Sequence, residues 1–159
     1  MPDFWSDEYI IKRREPAIRW YTMDDVIHIV ASEGNMRREA IDAWADMIRE
    51  VVDYIDPDEP MFIIVDLSAP SQGFTPYGGT ITRRLLQYVI ERRNARSYIG
   101  MVLSNSFINQ IIATFFQQIL SRTNYRRQAF TDPEQALDWM QSQIHEEARR
   151  ASDEQSDEG

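Results

Sequence analysis

The chain contains no cysteine, and that one absence excludes disulfides, thiolate metal sites and thiol nucleophiles together. Histidine is almost as scarce. His28 and His145 lie far apart, without histidine or carboxylate partners at metal-binding spacing. Lysine is reduced to Lys12, so nearly all positive charge is arginine. No apolar run approaches the roughly 18 residues that a membrane-spanning helix needs. The opening Met1-Pro2-Asp3-Phe4-Trp5-Ser6-Asp7-Glu8 lacks the basic-then-apolar order of a signal peptide, which makes the cytoplasm the expected location. No serine stands in a Gly-x-Ser-x-Gly setting.

What is present describes a globular chain. Its 159 residues have room for one domain with a proper core, and 43% of them are hydrophobic and 11% aromatic. The net charge of −9 is not evenly spread along the chain. Residues 146–159 hold six acids against Arg149 and Arg150, so they are expected to form a disordered acidic tail that aids solubility. Arg83, Arg84, Arg92 and Arg93 suggest a phosphate-binding stripe, but at 100° per residue they point to four sides of a helix. No nucleic-acid partner is expected.

Element order follows from hydrophobic periodicity. Residues 1–16 read as an N-terminal arm, in which a short helix stapled by Trp5 and Ile10 competes with a loose strand. Ala17–Thr22 and Val26–Ala31 are rich in β-branched and aromatic residues and flank Met23-Asp24-Asp25, a hairpin pattern. Asn35 is the expected cap of a helix with Ile41, Trp44, Ile48, Val51 and Ile55 on one side, closed by Pro57 and Pro60. Met61–Val65 is a continuous apolar run, the mark of a strand covered on both faces. Thr75-Pro76 signals the next helix start, with Ile81, Leu85, Val89 and Tyr88 inward to about Arg93. A strand at Tyr98–Leu103, a third helix from Ser104–Ser106 to Thr123, a strand at Arg126–Phe130 and a final helix capped by Asp132-Pro133 complete the chain. The final helix turns Ala136, Leu137, Met140 and Ile144 inward. The expected fold is α/β, ordered β-β-α-β-α-β-α-β-α, with a mixed, mostly parallel five-stranded sheet and four main helices in a domain spanning 17–145.

Three enzyme-like patterns fail on their chemistry. Gly73 to Thr80 has the glycines of a phosphate loop, but it lacks the lysine, and Pro76 removes an N–H from the cradle. Asp66, Ser104 and the Asp24-Asp25 pair suggest a phospho-accepting receiver, yet the acidic pair falls in a hairpin turn and no lysine follows the last strand. Hydrolytic or metal chemistry finds no constellation. No catalytic residue, metal or cofactor is therefore expected. Geometry points instead to the loops at the carboxyl ends of the parallel strands, where Asp66, Ser68, Tyr77, Ser104, Asn105 and Ser106 would meet a ligand or partner. Several of these hydroxyls cap helices in any case, and Asp66 is equally suited to bracing a turn.

The third helix repeats apolar pairs every four positions: Phe107-Ile108, Ile111-Ile112, Phe115-Phe116 and Ile119-Leu120. Each step of four drifts the pair by about 40°, so the apolar arc widens to roughly 220°. That exceeds an ordinary core-facing stripe. Phe116 and Leu120 at its outer edge are candidate contacts with a second copy or another protein, unless the arm or the final helix covers them.

From residue 17 to 145 the chain resembles the STAS family, the anti-anti-sigma-factor-like domains, and especially their SpoIIAA-like branch. The resemblance rests on the element order, on Ile64-Val65-Asp66-Leu67-Ser68, and on the ending Phe130-Thr131-Asp132-Pro133-Glu134-Gln135-Ala136-Leu137-Asp138-Trp139. It implies a non-enzymatic regulatory or scaffolding module acting through protein contacts, in some members under phosphorylation control. In phosphate-switched members an Asp-Ser-x-Gly motif opens the helix after the Asp-Leu-Ser strand. Here the matching stretch is Phe74-Thr75-Pro76-Tyr77-Gly78, which lacks the aspartate but keeps a hydroxyl, so Thr75 is the candidate phospho-acceptor. Related folds include lipid carriers, which supports an alternative reading as carrier or sensor of a small apolar ligand.

Overall fold

A computed structural model describes Trp5 and residues 10–14, 18–32, 37–68, 76–104 and 125–157. Six strands form one sheet in sequential order: β1 (Ile10–Arg14), β2 (Ile18–Met23), β3 (Ile27–Ser32), β4 (Met61–Leu67), β5 (Ser97–Leu103) and β6 (Tyr125–Phe130). The described helices are α1 (Arg38–Tyr54), α2 (Pro76–Arg92) and α3 (Pro133–Asp157). The protein is therefore α/β with a mixed sheet.

The five expected strands are all there, and residues 10–14 add a sixth. They pair antiparallel with β2, against its otherwise open edge, with an irregularity between Ile10 and Lys12. The arm is thus partly sheet, because a free strand edge offers unsatisfied N–H and C=O groups that a neighbouring segment can pair. This addition also corrects the expectation of a mostly parallel sheet. β1–β2 and β2–β3 are antiparallel, while β3–β4, β4–β5 and β5–β6 are parallel.

The β2–β3 hairpin turns where the acidic pair suggested. Asp24 and Asp25 both take positive φ, 55° and 54°, and Val26 N–H donates to Met23 O at 3.0 Å. Aspartate tolerates this left-handed region better than most residues, and the geometry suits the twist of paired strands.

α1 begins later than Asn35 would place it. Arg37 occupies the N-cap in extended conformation without a side-chain cap bond. The helix is held instead by its buried stripe of Ala40, Ile41, Trp44, Ala45, Ile48, Val51 and Val52, which packs with α2 on one face of the sheet. Ile55 leaves the helix in extended conformation, ahead of both prolines. α2 contributes Ile81, Leu85 and Val89 to the same cluster, with Met61, Ile63, Val65 and Ile99 from the sheet.

α3 covers the opposite face through Ala136 and Met140, with Leu137, Trp139 and Ile144 half-buried. There they meet Tyr21, Ile29, Ile64, Tyr98, Val102 and Phe130, and Trp5 belongs to this cluster. Strand alternation explains the division, since neighbours such as Ile63 and Ile64 point to opposite faces.

The acidic tail differs most from expectation. α3 continues as helix to Asp157. Composition argued for disorder through charge, but Ala148, Arg149, Arg150, Ala151 and Glu154 are also good helix formers continuing a helix already nucleated. Tyr98 O–H donates to Glu147, and Arg96 pairs with the same carboxylate at 3.5 Å. The expected third helix over 104–123, with Phe116 and Leu120, lies outside the described residues apart from Ser104.

α1 and α2 are also joined at their surface by two similar clasps. Tyr77 O–H donates to Asp42 while the Arg38 guanidinium lies 4.4 Å over the Tyr77 ring. Eleven residues further along both helices, Tyr88 O–H donates to Asp53 at 2.6 Å, with Arg92 3.7 Å and Arg49 5.8 Å from its ring. Sequence reasoning missed this device. Its signal is the shared spacing of Arg38/Arg49, Asp42/Asp53 and Tyr77/Tyr88, legible only once the two helices are known to be parallel neighbours.

Candidate functional site

At the carboxyl end of the parallel strands, Asp66 and Ser68 are bonded to each other among the described residues. Asp66 is 8% exposed, near the end of β4. Its Oδ2 accepts the indole N–H of Trp5 at 2.8 Å, and its Oδ1 accepts the backbone N–H of Ser68 at 2.9 Å and the Ser68 hydroxyl at 2.6 Å. A carboxylate holding three donors braces a turn and pins the arm; it is committed already. Tyr77, in the first turn of α2, serves the first clasp to α1. Ser104 follows β5 and is half-buried. Thr75, Asn105 and Ser106 lie outside the described residues. Of the candidate loop cluster, then, the described residues bring together Asp66 and Ser68, joined by Trp5, and engage Tyr77 with α1.

Arginines tell a similar story. Arg93, at the end of α2, is 6% exposed. It donates to Ile55 O at 2.9 Å and to Glu59 O, tying α2 to the loop between α1 and β4. Asn94 and Ala95 reinforce the tie by donating their N–H groups to Pro57 O. Of the suspected stripe, Arg83, Arg84 and Arg92 are exposed and Arg93 is internal. Arg127 on β6 has Nε and Nη2 buried without a hydrogen-bond partner, and burial lowers its pKa to about 10, which leaves it charged at neutral pH.

The amino end of the strands holds a cleft of about 440 Å³ beside the β2–β3 turn and the end of α1. His28 forms part of its wall and is 2% exposed. Trp20 donates its indole N–H to His28 Nδ1 at 3.2 Å, which places the neutral ring's own proton on Nε2. Tyr54 closes the aromatic group edge-on, 5.7 Å from His28 and 5.4 Å from Trp20, and donates its O–H to Asp25 at 3.3 Å. Burial pulls the His28 pKa below 6.5, partly opposed by the charge of Asp25. Asp25, Asp56 and Glu59 supply carboxylates to the rim. Sequence reasoning treated His28 as an ordinary strand residue. Alternation along β3 carries no sign of a cleft built by a distant helix end.

A second, smaller cavity of about 50 Å³ lies between α1, α2 and the sheet. Its walls include Trp44, Ile48, Leu85, Leu86, Ile99 and Met101. Its one hydroxyl residue, Thr82, donates to Gly78 O at 2.8 Å.

Compared with protein-family models, with curated proteins and with solved structures, the chain matches none. The candidate site therefore rests on its own geometry. Among the described residues no group of three or more histidine or acidic side chains is placed to hold a metal ion, and no helix is long and apolar enough to cross a membrane.

Proposed function

We propose that this protein is a non-enzymatic, STAS-like regulatory or scaffolding module of the SpoIIAA-like kind, working in the cytoplasm through contacts with another protein. The observation that carries the reading is the knot at the carboxyl end of β4. Asp66, the acid best placed for chemistry there, is held by Trp5 and Ser68, so this edge presents an assembled surface instead of a reactive group. Trp5 lies 61 residues from Asp66 in sequence. The arm is thereby part of the surface a partner would meet.

Thr75, immediately before the start of α2, is the phospho-acceptor in this reading. Negative charge is tolerated at a helix start, while the added phosphate reshapes the surface. Phe116 and Leu120 belong to the surface for self-association, with a homodimer as the expected state. Light scattering with Phe116→Glu and Leu120→Arg variants tests that part.

The partner surface is tested with a photo-crosslinking residue placed in cells at Pro76 or at Glu91, exposed positions at opposite ends of α2. A discrete protein adduct at Pro76 and none at Glu91 is the expected result. No adduct, or equal adducts at both, overturns the reading.

The apolar-ligand alternative is favoured by one observation, the cavity between α1, α2 and the sheet. Its size weighs against a lipid: about 50 Å³ is a third of the ~150 Å³ engineered cavity that takes up benzene. Native mass spectrometry of freshly purified protein separates the two readings, since a carrier retains a lipid-sized adduct.

A further inference from the structure

Among the described residues, Val26 and Tyr54 are the large hydrophobic side chains left exposed, at 41% and 57%. They come from different elements, the hairpin turn and the last residue of α1, and both line the cleft at the amino end of the sheet. Scattered exposed hydrophobics need no explanation, whereas two converging on one concave site do. Three carboxylates, Asp25, Asp56 and Glu59, complete the rim. Arg93, whose charge is felt by Asp56 and Glu59, is directed into the carbonyls of Ile55 and Glu59.

Two further features define what this site takes. α1 ends here with no basic residue in its last turn, so the negative end of its dipole is not complemented by its own side chains. His28 is buried in the wall with Nδ1 occupied by Trp20, which leaves Nε2–H as the ring's remaining donor. A neutral imidazole brings no competing positive charge, and its remaining N–H is a donor suited to a ligand acceptor.

We propose that the cleft formed by Asp25, Val26, His28, Tyr54, Asp56 and Glu59 binds an organic cation, an alkylammonium group with a hydrogen-bond acceptor close by. The carboxylates attract the charge. Tyr54 offers a ring face to the cation, and Val26 packs against its alkyl stem. Such a group is supplied by a free amine or by a lysine side chain on a polypeptide. The proposal is independent of the partner surface at the opposite end of the strands.

The test uses the full chain and backbone amide chemical shifts during titration with four probes. n-Butylammonium represents the free amine, and Nα-acetyl-lysine amide adds peptide acceptors to the same cation. n-Butanol and butyrate are the neutral and anionic controls. Saturable shifts confined to residues 24–28 and 54–60 are expected with both cations and with neither control. Lysine amide binding about tenfold more tightly identifies a polypeptide lysine as the source, and equal binding identifies a free amine; a tenfold step corresponds to 1.4 kcal/mol. Glu59→Gln and Tyr54→Ala are each expected to weaken cation binding at least threefold, with the melting temperature preserved in Glu59→Gln. Amides in this region that do not move at 20 mM probe, or that move equally with butyrate, overturn the proposal. So does unchanged affinity in both variants.

Discussion

The two ends of the parallel strands use polar residues in opposite ways. At the carboxyl end Asp66 accepts from Trp5 and from Ser68 twice, and its charge is consumed in holding the chain together. At the amino end Asp25, Asp56 and Glu59 stand around a cleft, with the buried His28 in its wall. The difference teaches where to look for binding. A carboxylate that already satisfies three donors has little capacity for a ligand, while Asp25 and Asp56, holding one donor from Tyr54 and from the Asp58 N–H respectively, keep more of theirs.

The comparison breaks most visibly at Asp66. Replacing it with alanine strands the Trp5 indole and the Ser68 donors in a buried setting, an expected loss of about 3 kcal/mol. For a chain of this size that lowers the melting temperature by about 6–12 °C, read by calorimetry. A change below about 2 °C would mean that the knot is not structural.

At the amino end the comparable support is Arg93. Arg93→Met keeps most of the apolar stem but releases Ile55 O and Glu59 O, with an expected loss of about 2 kcal/mol in urea unfolding. Because these carbonyls sit in the segment bearing Asp56 and Glu59, amide exchange over residues 55–60 should quicken while residues 66–68 stay protected. Equal loosening of both ends would erase the distinction.

A third measurement sharpens it through α3. Ending the chain after Arg150 is expected to leave the melting temperature within about 1 °C, since residues 151–157 are exposed throughout. Ending it after His145 removes Glu147 from Tyr98 and Arg96, an expected loss of about 1 kcal/mol, or 2–4 °C. If both truncations behave alike, Glu147 does not secure the amino end of β5.

The smallest expected effect is pH-dependent and belongs to His28. Its folded pKa is below 6.5, so the unfolded chain binds a proton that the fold disfavours. The His28 contribution to stability is therefore fully present above about pH 6.5 and is lost as pH falls through the folded pKa. Asp25, Asp56 and Glu59 line the same cleft, and Tyr54 and Trp20 pack on the ring. Asp25 works against the loss by favouring the protonated ring. His28→Asn should flatten the slope between pH 6.5 and 5 in chemical unfolding. An unchanged slope would assign it to the carboxylates.

Much of the fold was legible because it follows from local pattern. Met61–Val65 announced a doubly covered strand, Thr75-Pro76 a helix start, and Ile81, Leu85 and Val89 its buried side. Legibility failed where a partner from elsewhere decides. Residues 10–14 become a strand because β2 offers an edge, and Glu147 is fixed by Tyr98 on another element. The candidate site divided in the same way. Asp66 and Ser68 were recognised as neighbours at a strand end, but Trp5 and the His28 cleft are assembled by tertiary contacts, which no periodicity records.

The twin clasps between α1 and α2 have a mechanical consequence. One stands near the starts of both helices and the other near their ends, eleven residues and therefore about 16 Å apart. Eleven residues come close to three whole turns, so the tyrosines meet their acids in the same register twice, like two teeth of one rack. Sliding α2 along α1 must disengage both teeth together, which leaves the helix pair to move as a single plate. Pro76 adjoins the first tooth at Tyr77 and Tyr54 adjoins the second at Asp53, so the plate reaches from the start of α2 to the cleft.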